Sequence, residues 1–453
     1  MTHRSTRVGA TGGKIPADQA GYTTEVLSDA LDLPVKSFEI QNFGAEGSGG
    51  GFAGGVVCRV KDIVYKEAHE ENLPTSVILK WFNMSNSVSN GGAPNTNFLE
   101  RVLLFGVCKL KMDTEEVQRR EYDFFGPKSY VRPSIENAGI KIPQCYACDI
   151  LDFGTPTLCC KILCNRKTKM RRYMVFEDIT DSMAEKYDVD SIKFDEKHMS
   201  RAVENMAKIH FANWGYSKDP KVAVRVKEAY WYACVFGWTN PLRKAKRRYK
   251  FSKYANEWRI EREYLNEHRV SEALTRLESF YRDEISNIVE NLDHKQTILH
   301  GDYHFANIMF LKNCEDVVML DWQMYGHGYS LYEFCYFVYF VLANDEYVDR
   351  SRTFKYLKMY YDKLSELMVS VKDQISWKET QKIFVCICLE MYVWVVACYR
   401  ADIKKRKVRD KENAKDGRMI DMNKALDIRD KHLTLFVVDL MNNLEDYGWT
   451  STF

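Results

Sequence analysis

The sequence lacks an uninterrupted apolar run long enough to cross a membrane. A membrane-spanning helix needs about 20 apolar residues, whereas residues 334–343 form a shorter run and residues 383–398 are interrupted by Glu390. The first residues, MTHRSTRVGATGGK, have no apolar core of the kind found in a secretory signal. We therefore expect a cytoplasmic protein that does not insert stably into a membrane.

The sequence also lacks an excess of charge of either sign. It has 65 basic and 63 acidic residues, a net charge of +2, so no global field favours nucleic acid as a partner. Two local basic runs, residues 243–250 and 404–409, are compatible with nuclear import, with an anionic surface or with a solvated helix face. Acidic residues follow both runs in helical context, which favours the helix face.

Cysteines are present but do not have the regular spacing of a disulfide framework. There are 13, an odd number, and they are scattered, which is typical of reduced thiols in the cytosol. One cluster, Cys145, Cys148, Cys159, Cys160 and Cys164, has enough thiols for a tetrahedral zinc site. Its second half lacks CxxC spacing and has the pattern of a buried strand, so strand thiols are the favoured interpretation.

The distribution of patterns along the 453 residues indicates two lobes. Residues 1–20 are polar, and we expect them to form a flexible tail. Residues 21–180 contain strand patterns, whereas helical periodicity dominates residues 181–453. Strands first and helices later predict an α+β protein with a hinge at residues 177–180.

The most informative segment is ILHGDYHFANIMF, residues 298–310, with LDWQ shortly after it. It combines two carboxylates, Asp302 and Asp321, with the amide of Asn307. One carboxylate can accept the proton of a hydroxyl group, while an amide and a second carboxylate can hold magnesium at phosphate groups. The pattern predicts phosphoryl transfer from a nucleotide, with His300 bracing the loop rather than taking part in the chemistry.

A glycine-rich turn lies between two strand-like segments of the N-terminal region. It includes Gly49, Gly50 and Gly51, and glycine lets backbone N–H groups approach phosphates closely. The turn lacks the GK[ST] of a Walker loop and does not open a helix as a dinucleotide fingerprint does. It is therefore either a nucleotide-binding loop or a simple flexible loop.

A lysine stands in the middle of the apolar segment SVILKWF. Burying the ammonium of Lys80 is costly unless an anion pairs with it, so we predict that Lys80 binds nucleotide phosphates. The alternative is an edge-strand lysine whose ammonium reaches water. Glu121, in the helical segment RREYDFF, is its expected ion-pair partner, with Glu115 and Glu116 as competitors.

Two further residues have more than one interpretation. Glu177 lies in FEDI, residues 176–179, which is either a hinge whose backbone binds an adenine edge or a strand leaving a sheet. The local sequence supports both equally. His210, in KIHFANW, is more typical of a histidine packed in a helix than of a catalyst.

HGDYHFANIMF with LDWQ resembles the catalytic-loop and metal-binding motifs of the aminoglycoside/choline-kinase-like phosphotransferases. IMF, DWQ and AKIHFANW most resemble the CHK-type, ecdysteroid-kinase-like proteins of invertebrates. The resemblance runs from about Phe43 to the C-terminal helices. It implies a bilobal protein-kinase-like fold, in which an N-lobe of antiparallel sheet plus helix precedes a larger, mostly helical C-lobe. It also implies ATP, Mg²⁺ and a small-molecule hydroxyl acceptor.

The resemblance further implies roles by matching position. Lys80 would be the phosphate lysine, Glu121 its partner, Asp302 the base, and Asn307 and Asp321 the metal ligands. Three features depart from the family pattern: the turn is unusually dense in glycine, His304 stands where tryptophan is common, and Glu333 stands where an aspartate is usual. None removes a residue needed for transfer, which favours an active enzyme.

We therefore expect an ATP- and magnesium-dependent phosphotransferase acting on a hydroxyl group of a small molecule, such as a steroid-like or xenobiotic alcohol. Two alternatives stay open, a catalytically silent kinase-like binding protein and a choline/ethanolamine-type kinase. A protein kinase is disfavoured because it would carry arginine in place of Gly301 and a DFG-like triplet in place of DWQ. No sequence feature identifies a protein partner.

Overall fold

The computed structural model divides the chain into two compact units. The first is Met1–Arg132 with Ile142–Met183, and the second is Pro133–Lys141 with Ala184–Phe453. The residues that the structure describes are 24–42, 55–66, 73–83, 114–152, 170–180, 195–215, 228–229, 249, 267–281, 296–304, 307–311, 316–339, 349–368, 375–393, 396 and 420–449.

In its described residues, the first unit contains one antiparallel sheet with accompanying helices. Its strands are β1 (Val35–Asn42), β2 (Gly55–Tyr65), β3 (Val77–Asn83), β4 (Cys145–Asp152) and β5 (Met170–Glu177), and its helices are α1 (Thr24–Leu31) and α2 (Thr114–Phe125). A short helix, α3 (Arg132–Asn137), crosses into the second unit. The strand order is β1-β2-β3-β5-β4, with every neighbouring pair antiparallel. This confirms the predicted antiparallel sheet plus helix.

Side-chain alternation places one face of this sheet in a hydrophobic core. In β2, Cys58 and Val60 are buried, whereas Arg59 and Lys61 point to the opposite face. The core continues through α1 and the neighbouring strands with Val26, Leu27, Ala30, Val35, Val77, Leu79, Tyr173 and Val175. Each buried valine or leucine contributes roughly 1.5–3 kcal/mol relative to exposure, so this core stabilises the strand that carries Lys80.

The second unit is mostly helical in its described part, as predicted. Its helices are α4 (Glu196–Ala212), α5 (His268–Phe280), α6 (Ser330–Phe337), α7 (Arg350–Leu367), α8 (residues 377–393) and α9 (Ile420–Asn442), with 3₁₀ turns at Trp322–Met324 and Leu444–Tyr447. Its strands are β6 (Gln296–Leu299), β7 (Ile308–Phe310), β8 (Val317–Met319) and β9 (Gly326–Tyr329). None of the helices described is both long and apolar enough to span a membrane.

Two short strand pairs frame the segment ILHGDYHFANIMF. β6 pairs with β9 and β7 pairs with β8, both antiparallel. β6 ends directly before His300, and β8 ends two residues before Asp321. The Leu320 N–H donates to the Asn307 carbonyl at 2.9 Å. These pairings bring the DWQ triplet beside the asparagine of the preceding motif.

The described thiols of the cysteine cluster lie in β4. The Sγ atom of Cys145 is 3.2 Å from the Ala147 carbonyl, and that of Cys148 is 3.6 Å from the Tyr122 carbonyl. Burial raises the pKa of Cys145 to about 12 and also raises the pKa of Cys148, as is usual for thiols packed in a strand. Within the described ranges, no three His, Cys, Asp or Glu side chains form a metal-binding group. Cys159, Cys160 and Cys164 lie outside the described residues.

A buried ion pair stands at the end of β5. The Asp178 carboxylate, 1% exposed, accepts from Arg59 Nε at 2.5 Å and from the Thr180 N–H at 3.0 Å. Burial alone would raise the pKa of Asp178, but hydrogen bonds from Thr180, Ser76 and Arg59 outweigh it and lower that pKa. The charged carboxylate therefore adds stability above the pKa of the unfolded chain, about 3.9. That stability is lost as the pH falls through the lower folded-state pKa.

Asp178→Asn should lower the free energy of unfolding by about 1–3 kcal/mol at pH 7, because a neutral amide replaces a carboxylate bonded to a cation. The difference from wild type should shrink as the pH falls below about 4, where wild-type Asp178 takes up a proton. Urea unfolding of both proteins from pH 7 to pH 3 measures this difference. A difference that does not change with pH would contradict the assignment of a charged Asp178.

Candidate active site

His300 begins the loop that follows β6, named here the HGD loop (His300–His304). Its ring is fully buried; Nε2 donates to the Leu320 carbonyl at 2.8 Å, and Nδ1 accepts from the Asp302 N–H at 3.4 Å. Burial lowers the pKa of His300, so a neutral ring with its proton on Nε2 fits both contacts. His300 therefore ties the loop to the residue that precedes Asp321.

Gly301 is required by the path of the loop. Its φ is +83°, and a Cβ atom there would lie 2.2 Å from the Met324 carbonyl oxygen. Both the left-handed backbone and this close approach exclude a side chain. The arginine of a protein-kinase loop therefore could not stand at this position without moving the backbone of Met324.

Asp302 is held as an ionised carboxylate. Its Oδ1 atom accepts a hydrogen bond from the Tyr336 hydroxyl at 2.6 Å and lies 3.4 Å from His304 Nε2. Burial alone would raise the pKa of Asp302, but the hydrogen bonds and the positive charge of His304, with the Tyr336 hydroxyl, lower it below the ordinary value. A charged carboxylate at the tip of a rigid loop can orient a hydroxyl group and accept its proton.

Asn307 directly precedes β7, and Asp321 follows β8 by two residues. Asn307 Nδ2 donates to the Asp302 carbonyl at 2.9 Å. Asp321 has a left-handed backbone, φ 58° and ψ 63°, and its Oδ2 accepts from Gln323 Nε2 at 2.9 Å. A left-handed non-glycine residue is uncommon and often marks a functional position. Amide and carboxylate oxygens are hard donors of the kind that Mg²⁺ prefers, so this pair fits a magnesium site completed by phosphates and water.

Glu333, on α6, holds the backbone of the HGD loop. Its Oε1 accepts from the Gly301 N–H at 2.6 Å, and its Oε2 accepts from the His300 N–H at 3.2 Å. Oε2 also lies 3.0 Å from His210 Nε2, and Glu333 is 1% exposed. A buried carboxylate is stable only when donors surround it. The glutamate that departs from the family pattern therefore still braces the loop.

His210, on α4, contacts the Glu333 carboxylate that holds the loop. Its Nδ1 is 2.7 Å from the Tyr360 hydroxyl, and its carbonyl accepts from Thr297 Oγ1 at 2.5 Å. Burial raises the pKa of Tyr360, so the hydroxyl keeps its proton and donates to Nδ1, leaving Nε2 to donate to Glu333. The sequence identified His210 only as a packed helical residue, because Glu333 lies 123 residues further along the chain.

In the first unit, Lys80 and Glu121 form an ion pair. Lys80 Nζ lies 2.8 Å from Oε1 and 2.7 Å from Oε2 of Glu121. The carboxylate side chain is 2% exposed and the lysine side chain 13%. β3 turns Leu79 into the core and Lys80 to the opposite face, toward α2. The expected partner is thus the one in contact; the side chains of Glu115 and Glu116 lie outside the described residues.

The other predicted nucleotide contacts do not join this pair in the described structure. Glu177 ends β5, where its N–H donates to the Gln144 carbonyl at 2.8 Å and its Oε2 accepts from the Gln144 N–H at 3.2 Å. Its interpretation as part of an adenine-binding hinge stays a prediction. Gly49, Gly50 and Gly51 lie outside the described residues.

Glu333→Ala should lower the free energy of unfolding by about 3–5 kcal/mol, because buried donors of His300, Gly301 and His210 would lose their acceptor. Amide hydrogen exchange in the HGD loop should become faster at the same time. Urea unfolding and hydrogen-exchange mass spectrometry measure the two effects. Glu272→Ala, the same change at an exposed position of α5, should leave both near wild type, and equal effects of the two variants would refute the bracing role.

Comparison with known proteins places these motifs in a family. A family model described as the ecdysteroid kinase-like family matches residues 143–372. Among solved structures, amicoumacin kinase with AMP-PNP, Ca²⁺ and its ligand Ami aligns at TM-score 0.41 and 12% identity, covering 93% of this chain and 95% of that one. A search of curated protein sequences returned no match.

Two further solved structures give similar scores. Aminoglycoside phosphotransferase APH(4)-Ia with ADP and hygromycin B aligns at TM-score 0.37 and 11% identity, covering 94% of this chain and 99% of that one. Ethanolamine kinase from Plasmodium vivax aligns at TM-score 0.37 and 11% identity, covering 90% and 84%. The family match spans just over half of the chain, confirms the resemblance seen in HGDYHFANIMF and LDWQ, and shows that this protein belongs to the ecdysteroid kinase-like family.

Proposed function

We propose that this protein transfers the γ-phosphoryl group of ATP to a hydroxyl group of a small-molecule alcohol, with Mg²⁺ as the metal. The observation that carries the proposal is the contact network of the HGD loop. In it Asp302 is ionised, Asn307 donates to the Asp302 backbone carbonyl, and Glu333 accepts from the loop backbone. Phosphoryl transfer depends mainly on positioning and on charge stabilisation. Membership in the ecdysteroid kinase-like family supports the same class of reaction.

Asp302 would act on the acceptor. Its carboxylate would accept a hydrogen bond from the acceptor hydroxyl and orient the oxygen toward the γ-phosphorus. As the new P–O bond forms and the bond to the leaving ADP breaks, the hydroxyl proton would pass to Asp302. A carboxylate with a lowered pKa suits a proton transfer that comes late in the reaction.

Asn307 and Asp321 would hold Mg²⁺ through an amide oxygen and a carboxylate oxygen. When bound, Mg²⁺ neutralises the negative charge of the phosphates. Gln323 fixes one oxygen of Asp321 through its amide, at 2.9 Å, which limits the rotation of the carboxylate. Asn307 is fixed in turn by its hydrogen bond to the Asp302 carbonyl.

Residues of the first unit would bind the nucleotide in this proposal. Lys80 would donate to phosphate oxygens, and Glu121 would keep its ammonium extended and charged. The turn at residues 49–51 would offer backbone N–H groups to the phosphates, and the segment at Glu177 would contact the adenine edge. The proposed acceptor is a bulky alcohol such as a steroid or a xenobiotic, and the name of the family supports the steroid.

Asp302→Asn should reduce phosphoryl transfer by about 10²–10⁴-fold, because the amide has the shape of the carboxylate but cannot take the proton. Purified protein is incubated with labelled ATP, Mg²⁺ and a lipid and steroid extract, and labelled products are identified by mass spectrometry. Asp316→Asn is the matched control, since Asp316 is an exposed carboxylate paired with Lys141. Equal transfer by wild type and Asp302→Asn in every extract would exclude the proposed reaction.

Asp321→Asn should abolish the stabilisation of the protein by Mg-ATP. A ligand at 100 times its Kd stabilises the folded state by about 2.7 kcal/mol, and an amide replaces the charged metal ligand while tolerating the left-handed backbone. The measurement is thermal unfolding with and without Mg-ATP, and unfolding without nucleotide shows whether the variant is folded. Absence of any shift in the wild type would favour a catalytically silent binding protein.

A further inference from the structure

Tyr336 makes a direct contact with the carboxylate of the HGD loop. It lies on α6, is 7% exposed, and its hydroxyl is 2.6 Å from Asp302 Oδ1. The contact joins residues 34 positions apart, and the sequence motif does not predict it. A hydrogen bond to a charged acceptor at this distance is among the stronger kinds found in proteins.

The Tyr336 hydroxyl acts as a permanent donor. Burial raises the pKa of Tyr336, and the negative charge of Asp302 raises it further. The hydroxyl therefore keeps its proton at neutral pH. Its role toward Asp302 is to hold the carboxylate and not to exchange a proton with it.

The two carboxylate oxygens of Asp302 differ in their hydrogen-bond partners. Oδ1 accepts from Tyr336 and also lies 3.4 Å from His304 Nε2. Among the described residues, none donates a hydrogen bond to Oδ2. Asn307 fixes the backbone carbonyl of Asp302 at 2.9 Å. The carboxylate is thus held at Oδ1, while Oδ2 is the oxygen that a substrate hydroxyl can approach.

One short helix supplies two of these restraints. Glu333 and Tyr336 stand three residues apart on α6, a spacing that puts both side chains on one face of the helix. Glu333 fixes the backbone of the loop through Gly301, and Tyr336 fixes the side chain of Asp302. The position of the loop and the rotamer of its carboxylate therefore depend on the same rigid element.

From this geometry we infer that Tyr336 is a positioning residue, which locks Asp302 in the rotamer that presents Oδ2 to the acceptor hydroxyl. The inference rests on the proposed function for the role of Asp302 as the base. It assigns to Tyr336 an effect on the rate of transfer and none on the binding of nucleotide. Tyr336 acts through Asp302, so its effect should vanish when Asp302 cannot serve as a base.

Tyr336→Phe removes a single oxygen atom and should lower kcat about ten-fold or more, the effect of losing a hydrogen bond to a charged group. The KM for ATP and the thermal shift with Mg-ATP should stay at wild-type values. Tyr332→Phe is the matched control, because it removes the same atom from the same buried helix face one turn earlier. It should retain wild-type kcat, since the tyrosine that donates to Asp302 is Tyr336.

In the Asp302→Asn background, Tyr336→Phe should cause no further loss of transfer. An unchanged kcat in Tyr336→Phe alone would overturn the inference. So would a fall in kcat accompanied by an equal loss of nucleotide binding, or additive losses in the double variant, because each indicates a general structural role.

A crystal structure of full-length Tyr336→Phe, compared with wild type, provides a readout independent of turnover. The Asp302 carboxylate should rotate or occupy more than one conformer in the variant, and it should stay in place in Tyr332→Phe. If wild type transfers no phosphate to any acceptor, the proposed function fails, yet the structures still decide the positioning role. An Asp302 carboxylate unmoved in Tyr336→Phe would overturn that role.

Discussion

The buried carboxylate of Glu333 is the constraint on which the second unit's site depends. A loop that turns through a left-handed glycine leaves backbone N–H groups pointing inward, and a buried N–H without an acceptor is costly. Glu333 satisfies two such groups and is itself balanced by His210. Because donors and acceptor need one another, the loop has one stable path, and the side chains that follow it are held in fixed positions.

In the first unit, a buried carboxylate is likewise stabilised by its donor, here the ammonium of a lysine. Lys80 and Glu121 stand largely out of water, and each would be unstable there without the other. The pairing leaves an extended ammonium at the face of the sheet opposite to the hydrophobic core. Both units therefore build their candidate site residues around a buried carboxylate that is stabilised by specific donors.

Much of this could be read from the sequence, for a physical reason. The motif of the HGD loop is local, because Asp302, Asn307 and Asp321 lie on one loop and at the ends of one short strand pair. Residues this close in the chain can be recognised by their types and spacing. The order of strands and helices likewise predicted the sheet and the mostly helical second unit. His210 was understood only as a packed residue, since a single helix carries no record of what it touches.

The amino-acid sequence by itself determined the type of chemistry, the family and the order of the elements. These depend on residue types and on spacings of a few residues, which can be read directly from the chain. Tertiary structure alone decided how the motif is held. The contacts of Asp302 with Tyr336 and of Glu333 with His210 join residues 34 and 123 positions apart. Contacts between distant residues depend on how helices pack, which residue types and local periodicity do not specify.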